Sequence, residues 1–216
     1  MKTKSILLLR HGETNWNIEQ RFQGSRDLPL NEKGEEQARQ VSLRIKSWHP
    51  EFVVSSPLMR AFKTSVLASG WHEESIKRDP DLCEINFGVW EGCSTHELKE
   101  QGELFSRWAQ KPFSVPVPEA ESETEILARV QRVIDKLVVL PHERILVVSH
   151  GGTLRALLSV ALHIPLQSAW RFFRLSNCSL SGLEYDGERF ILAFYNDHNN
   201  NCKLSDADHA FVPVTF

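Results

Sequence analysis

The chain has 216 residues, 41% hydrophobic and 25% charged, with a formal net charge of −3. That length suffices for one globular domain, residues 1–216, with a substantial core. The charge balance offers no broad basic field for nucleic acid, and no apolar run reaches membrane-spanning length. An anionic partner would have to be held by a local cluster of arginines.

The basic start Met1-Lys2-Thr3-Lys4-Ser5 leads into an apolar run that is too short, and too soon followed by charge, for a signal peptide. That run, Ile6 to Leu9, reads as a buried strand. It stops at Arg10-His11-Gly12, so a cation, an imidazole and a glycine sit where a strand hands over to a loop. In open α/β sheets this is the crevice where ligands bind. Arginine offers a planar fork of donors matched to phosphate oxygens. A neutral imidazole nitrogen can attack phosphorus, and a glycine lets backbone approach a ligand.

Phe22 to Leu30 is polar and irregular, a loop. Asn31 then caps a helix with glutamates in its first turn, and Ala38, Val41, Ile45 and Trp48 form its buried stripe. Phe52 to Ser55 reads as a second strand, with Ser56 as N-cap and Pro57 at the first position of the next helix. Arg60 falls in the first turns of that helix, near a strand end as His11 is.

Asp79-Pro80-Asp81 marks a turn, and the stretch through Gly92 has no periodicity. Ser94-Thr95-His96-Glu97 and Ser122-Glu123-Thr124-Glu125 are capping-box patterns opening helices. Between them, Gln110 to Glu121 holds three prolines and reads as an irregular connection. Ile126, Val130, Val133 and Leu137 mark the stripe of the second of these helices. Arg144 to Val148 is a further strand, followed by His150, two glycines and a helix from Thr153 to Ala161. Ser179 to Tyr185 and Glu188 to Tyr195 flank Asp186-Gly187 as a hairpin with a primed turn. The tail from Asn196 is assigned no element. Alternating strands and helices predict a three-layer α/β/α sandwich with a mainly parallel sheet and a late antiparallel hairpin.

Four segments together resemble the signature of the histidine phosphatase superfamily, the phosphoglycerate-mutase-like family. They are Arg10-His11-Gly12-Glu13-Thr14 with Asn17; Ser55-Ser56-Pro57-Leu58-Met59-Arg60-Ala61; Leu82 through Glu91-Gly92; and Val148-Ser149-His150-Gly151-Gly152. The resemblance runs from about Ile6 to about Tyr195, and it implies the same three-layer fold. It also implies that His11 is phosphorylated during turnover, that Arg10 and Arg60 clamp the phosphate, and that His150 donates to a phosphoryl oxygen opposite His11. Asn17, Gln23 and the amide of Gly151 would assist phosphate binding. Glu84 would be the general acid and then the general base. Glu91 is a second carboxylate nearby, and Glu84 is preferred only by its place in the motif.

The run Glu84-Ile85-Asn86-Phe87-Gly88 differs from the Glu-Arg-His-Tyr-Gly run of cofactor-dependent mutases, and the connection to Arg144 is short. The chain is therefore more similar to the broad-specificity phosphatase and α-ribazole phosphatase branch, with a fructose-2,6-bisphosphatase relationship also open. The expectation is a metal-independent phosphomonoester hydrolase acting on a small phosphorylated metabolite, with residues 94–121 as a cap that sets specificity. The alternatives are a phosphoglycerate mutase and a phosphate-binding module without catalysis. No cofactor is expected, and the oligomeric state is open. The cysteines, Cys83, Cys93, Cys178 and Cys202, form no Cys-x-x-Cys pair and read as reduced thiols of a cytoplasmic protein. Asp206-Ala207-Asp208-His209 reads as a solvated acidic tail and not as a metal site.

Overall fold

The computed structural model describes residues 3–100 and 102–198. Six strands form one sheet: β1 (Lys4–Arg10), β2 (Phe52–Ser55), β3 (Lys77–Arg78), β4 (Arg144–Ser149), β5 (Leu180–Tyr185) and β6 (Phe190–Asp197). Their order is β3-β2-β4-β1-β5-β6. The first four are mutually parallel, whereas β5 runs antiparallel to β1 and to β6. The helices are α1 (Asn15–Ile18), α2 (Glu32–Trp48), α3 (Met59–Ser69), α4 (Thr95–Glu100), α5 (Glu103–Gln110), α6 (Glu123–Val139), α7 (Gly151–Ala161) and α8 (Leu166–Phe172).

Alternation along the strands divides the core into two layers. Leu7, Leu9, Val53, Leu146 and Val148 face α2 and α3, where they meet Ala38, Val41, Ile45 and Ala61. Ile6, Leu8, Val54, Ile145 and Val147 face the other way, onto Ile126, Val130, Val133, Leu154 and Leu158 of α6 and α7. The expected sandwich is thus formed. Both faces are covered, so β1, β2 and β4 carry continuous apolar runs.

The caps at Asn31, Ser94 and Ser122 form as expected. Asn31 Oδ1 accepts from the Gly34 amide at 2.7 Å. Glu97 and Ser94 exchange hydrogen bonds between side chain and backbone, as do Glu125 and Ser122. The expected start of α3 is corrected. The helix begins at Met59, two residues beyond Pro57, and its N-cap residue Leu58 supplies no side-chain bond. Asp27, from a distant loop, accepts from the Met59 amide at 2.6 Å instead. Ser56 Oγ accepts from the Leu58 amide at 3.2 Å, one residue ahead of the helix. The hairpin connection is also longer than expected: Tyr185 pairs with Phe190, so four residues turn the chain. Asp186 Oδ1 accepts from the amides of both Glu188 and Arg189, each at 2.9 Å. Helix α7 starts at Gly151, not Thr153, which brings two glycine amides into its first turn. The tail cluster at residues 206–209 lies outside the described residues.

Candidate active site

Register alone brings the two histidines together. β1 and β4 are neighbours, and Arg10 pairs with Ser149 as the last matched residues. His11 and His150 each follow by one position, and their ring centroids lie 5.1 Å apart. β2 ends on the other side of β4, with Ser55 opposite Val148, so Ser56 and α3 with Arg60 arrive at the same edge. Three parallel strand ends therefore supply the three motifs.

His11 is 2% exposed, and its Nδ1 lies 2.7 Å from the Gly12 carbonyl oxygen. A carbonyl only accepts, so Nδ1 carries the proton and Nε2 is the bare nitrogen. Burial first, then the charges of Arg10 and Arg60, push His11 well below the usual histidine range, so the ring is neutral. His150 is fully buried and is pushed down by burial and then by Arg60.

Arg60 is fully buried and has three of its five donors engaged. Nε donates to His150 Nδ1 at 3.1 Å, Nη1 to the Arg26 carbonyl at 2.6 Å, and Nη2 to the Gly24 carbonyl at 2.8 Å. Arg10 Nη1 donates to the Leu175 carbonyl, while its buried Nε has no partner among the described residues. Burial, followed by the nearby Arg155, lowers Arg10 to about 10, so it is still charged at neutral pH. A buried N–H without a partner is costly, and an anion in front of it would satisfy it.

Glu84 reaches the N-terminus of α7. Its Oε2 accepts from the Gly152 amide at 3.0 Å, and its Oε1 from the Thr153 amide at 3.0 Å. The amide of Gly151, first in the helix, is not taken by Glu84. A Cβ on Gly152 would lie 2.7 Å from Glu84 Oε1, so only glycine admits the carboxylate there.

A cavity of about 750 Å³ opens above these groups. Of the residues expected from sequence, Arg10, His11, Asn17, Gln23, Arg60, Glu84 and Gly151 all line it. Gln23 Oε1 is buried there with no partner among the described residues. Asn17 Oδ1 accepts from the Thr14 amide at 3.0 Å, and its side chain also meets Asn177. His150 is the exception. It does not line the cavity, and both ring nitrogens are engaged, Nδ1 by Arg60 and Nε2 by Ser56 Oγ at 2.8 Å. Its ring nevertheless lies 5.1 Å, centroid to centroid, from that of His11.

The expected reason for Gly12 is likewise corrected. A Cβ there would lie 2.4 Å from the Gly34 carbonyl oxygen, and one on Gly34 would lie 2.1 Å from that of Glu13. The glycine serves the close packing of this loop on the start of α2, not a ligand. Sequence reasoning missed Arg155, Trp170 and Arg174, which also line the cavity. Arg155 lies over the Trp170 ring at 4.9 Å and donates to the Phe173 carbonyl at 2.5 Å. Neither Arg155 nor Arg174 has a carboxylate at ion-pair distance among the described residues. The position of Arg155 on the site-facing turn of α7 was the only available signal. Among the described residues of the expected cap, 94–121, Thr95 alone lines this cavity. Trp108 packs behind it, touching Phe87 and Trp170, both of which line it. Among the described residues no cluster of three or more His, Cys, Asp or Glu side chains is arranged to hold a metal ion, and no helix is long and apolar enough to cross a membrane.

Two histidines and an arginine at the ends of parallel strands, with a second arginine in the first turn of α3, in a three-layer sandwich define the class. The family model of the histidine phosphatase superfamily (branch 1) matches residues 6–198, and the chain belongs to that family. Among curated relatives, it is 37% identical over 190 residues to a protein of Escherichia fergusonii named probable phosphoglycerate mutase GpmB, covering 86% of this chain and 87% of that one. The namesake of Proteus mirabilis is 36% identical over 191 residues, with the same shares covered. Among solved structures, the α-ribazole phosphatase of Shigella flexneri superposes with a TM-score of 0.80 at 28% identity, covering 90% of this chain and 96% of that one. A mycobacterial glucosyl-3-phosphoglycerate phosphatase in complex with VO3 gives a TM-score of 0.80 at 26% identity, covering 89% and 98%.

Proposed function

We propose that the protein is a metal-independent phosphomonoester hydrolase that works through a phosphohistidine on His11. One observation carries this reading: the Gly12 carbonyl fixes the proton of His11 on Nδ1, leaving an unprotonated Nε2 on a cavity wall shared with Arg10 and Arg60. In the first step Nε2 forms a bond to phosphorus as the ester P–O bond breaks. Arg10 and Arg60 hold the equatorial oxygens. The leaving oxygen takes a proton from Glu84, which becomes the carboxylate that the Gly152 and Thr153 amides stabilise. In the second step water attacks phosphorus, Glu84 accepts its proton, the N–P bond breaks, and inorganic phosphate leaves a neutral His11. The guanidinium groups supply the positive charge that a metal would otherwise provide.

In the free site His150 holds Arg60 in place. Donation from His150 to a phosphoryl oxygen requires that its proton leave Ser56. Asn17 and Gln23 line the phosphate end, where the unpartnered Gln23 side chain favours a polar ligand. Among the described residues Arg155 and Arg174 have no carboxylate at ion-pair distance, and both line the cavity. Unpaired charge at a cleft favours an anion, so the substrate class is a small phosphorylated metabolite with a second anionic group. We assign residues 94–121 an indirect part in specificity, through Phe87 and Trp170. Cys83, Cys93 and Cys178 are free thiols, which suits a cytoplasmic protein.

A second reading, phosphoglycerate mutase, is favoured by the name of the GpmB relatives. One assay separates the two: 3-phosphoglycerate is supplied with its bisphosphate, and phosphate release is measured against 2-phosphoglycerate formation. Release exceeding isomerisation supports the hydrolase, and the reverse supports the mutase.

A further inference from the structure

Glu91 lies outside the cavity, yet its side chain is only 4% exposed. It closes the 3-10 turn Gly88–Trp90, downstream of Glu84. Its Oε1 accepts from the Ser25 amide at 2.7 Å and from the Phe87 amide at 3.2 Å. Its Oε2 accepts from Ser25 Oγ at 3.0 Å and faces Arg26 Nε at 3.4 Å. The loop backbone rests directly on this carboxylate. Gly24 has φ of 53°, and a Cβ on it would lie 1.9 Å from Glu91 Oε1.

The two residues flanking Ser25 do the holding. The Gly24 and Arg26 carbonyls are the acceptors for Nη2 and Nη1 of Arg60. With Nε on His150, three of the five guanidinium donors are committed, and one N–H on each Nη is left for a ligand. The far end of the same loop is tied by Asp27 to the first amide of α3, the helix that carries Arg60.

We propose that Glu91 is a positioning residue: its carboxylate fastens the Gln23–Asp27 loop so that the Gly24 and Arg26 carbonyls aim the two remaining Arg60 donors at the phosphoryl group. This rests on the reading of Arg60 as a phosphate ligand. The geometry assigns Glu91 no contact with substrate, which separates it from Glu84. The segment carrying the proposed acid and the loop caging the proposed phosphate clamp are thereby joined through one buried carboxylate. Misplacement of a positioned group by about 1 Å can cost roughly a hundredfold in rate.

The test uses Glu91→Gln, which keeps the shape but replaces one acceptor oxygen with a donor facing N–H groups, and Asp27→Ala, which frees the other end of the loop. Orthovanadate affinity is measured by calorimetry. First-turnover rates are measured by rapid quench with p-nitrophenyl phosphate and with an alkyl phosphate, and folding is followed by thermal melting. In a folded Glu91→Gln, vanadate affinity falls by about tenfold or more, and both substrates slow by the same factor, about tenfold to a hundredfold. Asp27→Ala weakens vanadate binding in the same direction, and carries the test alone if Glu91→Gln does not fold. Unchanged vanadate affinity in the folded variants overturns the proposal. So does slowing confined to the alkyl phosphate, which makes Glu91 a proton donor. A wild-type protein with neither turnover nor vanadate binding removes the hydrolase reading itself, and this inference with it.

Discussion

Arg60 Nε, on a side chain that lines the cavity, donates to His150 Nδ1 at 3.1 Å, and both side chains are fully buried. A guanidinium only donates, so Nδ1 of His150 is the bare nitrogen and its proton sits on Nε2, which donates to Ser56 Oγ. The chain Ser56–His150–Arg60 thus sets both the tautomer of one residue and the aim of the other. Removing the hydroxyl with Ser56→Ala is expected to lower kcat/KM by about threefold to tenfold, the worth of one buried hydrogen bond, with the fold retained. Steady-state kinetics on p-nitrophenyl phosphate checks this, and full activity in the variant contradicts it.

The histidines also make stability depend on pH. His11 and His150 are both held well below the usual range by burial and neighbouring arginines. Below about pH 6.5 the unfolded chain therefore binds more protons than the folded one at these two positions. Stability is lost as pH falls, by about 1.4 kcal/mol per unit for each histidine once the unfolded side chain is protonated. Urea unfolding at pH 7 and pH 5 should show the loss, and His150→Gln should reduce it. A wild-type stability flat across that range contradicts the assignment.

Glu84→Gln keeps the shape of the side chain and removes the transferable proton. Alkoxides leave poorly without a proton, whereas p-nitrophenolate leaves unaided. General acid help is worth about a hundredfold to ten-thousandfold. Phosphorylation by an alkyl phosphate should therefore slow far more than phosphorylation by p-nitrophenyl phosphate. Rapid quench of the first turnover is the measurement. Equal slowing of both substrates shows that Glu84 is not the leaving-group acid.

Gly34 faces the Glu13 carbonyl so closely that an added Cβ would lie 2.1 Å from it. Backbone, not a flexible side chain, must move, so Gly34→Ala is expected to cost about 1–3 kcal/mol as an overpacking change. The displaced Gly12–Glu13 segment lies next to His11, so activity should fall along with stability. Urea unfolding of the variant against wild type checks the first, and p-nitrophenyl phosphate turnover the second. An unchanged unfolding midpoint contradicts the packing reading.

Much of this was legible because the signals are local. The apolar runs of β1 and β4, the stripe on α2 and the caps at Asn31, Ser94 and Ser122 all depend on residues within a few positions. The motif residues at strand ends were legible for the same reason, since each follows directly on its own apolar run; the parallel pairing that brings Arg10 level with Ser149 then joins them. Illegible features are those decided across the chain. Asp27 caps α3 from another loop, which no pattern near Ser56 signals. Gly12 faces Gly34, not a ligand. His150 has both nitrogens engaged, Nδ1 by Arg60 and Nε2 by Ser56, both far away in the sequence. Arg155 and Arg174 join the site only through the course of α7 and the segment after α8.

The central claim is that His11 Nε2 takes the phosphoryl group, and a covalent trap tests it most directly. Wild-type protein is mixed with phosphate-labelled substrate, quenched in alkali within the first turnover and digested. The label should be stable to base and labile to acid, and should sit on the peptide carrying His11. His11→Ala should carry none and should have lost turnover while melting normally. A labelled peptide lacking His11, or normal turnover in His11→Ala, would contradict the account.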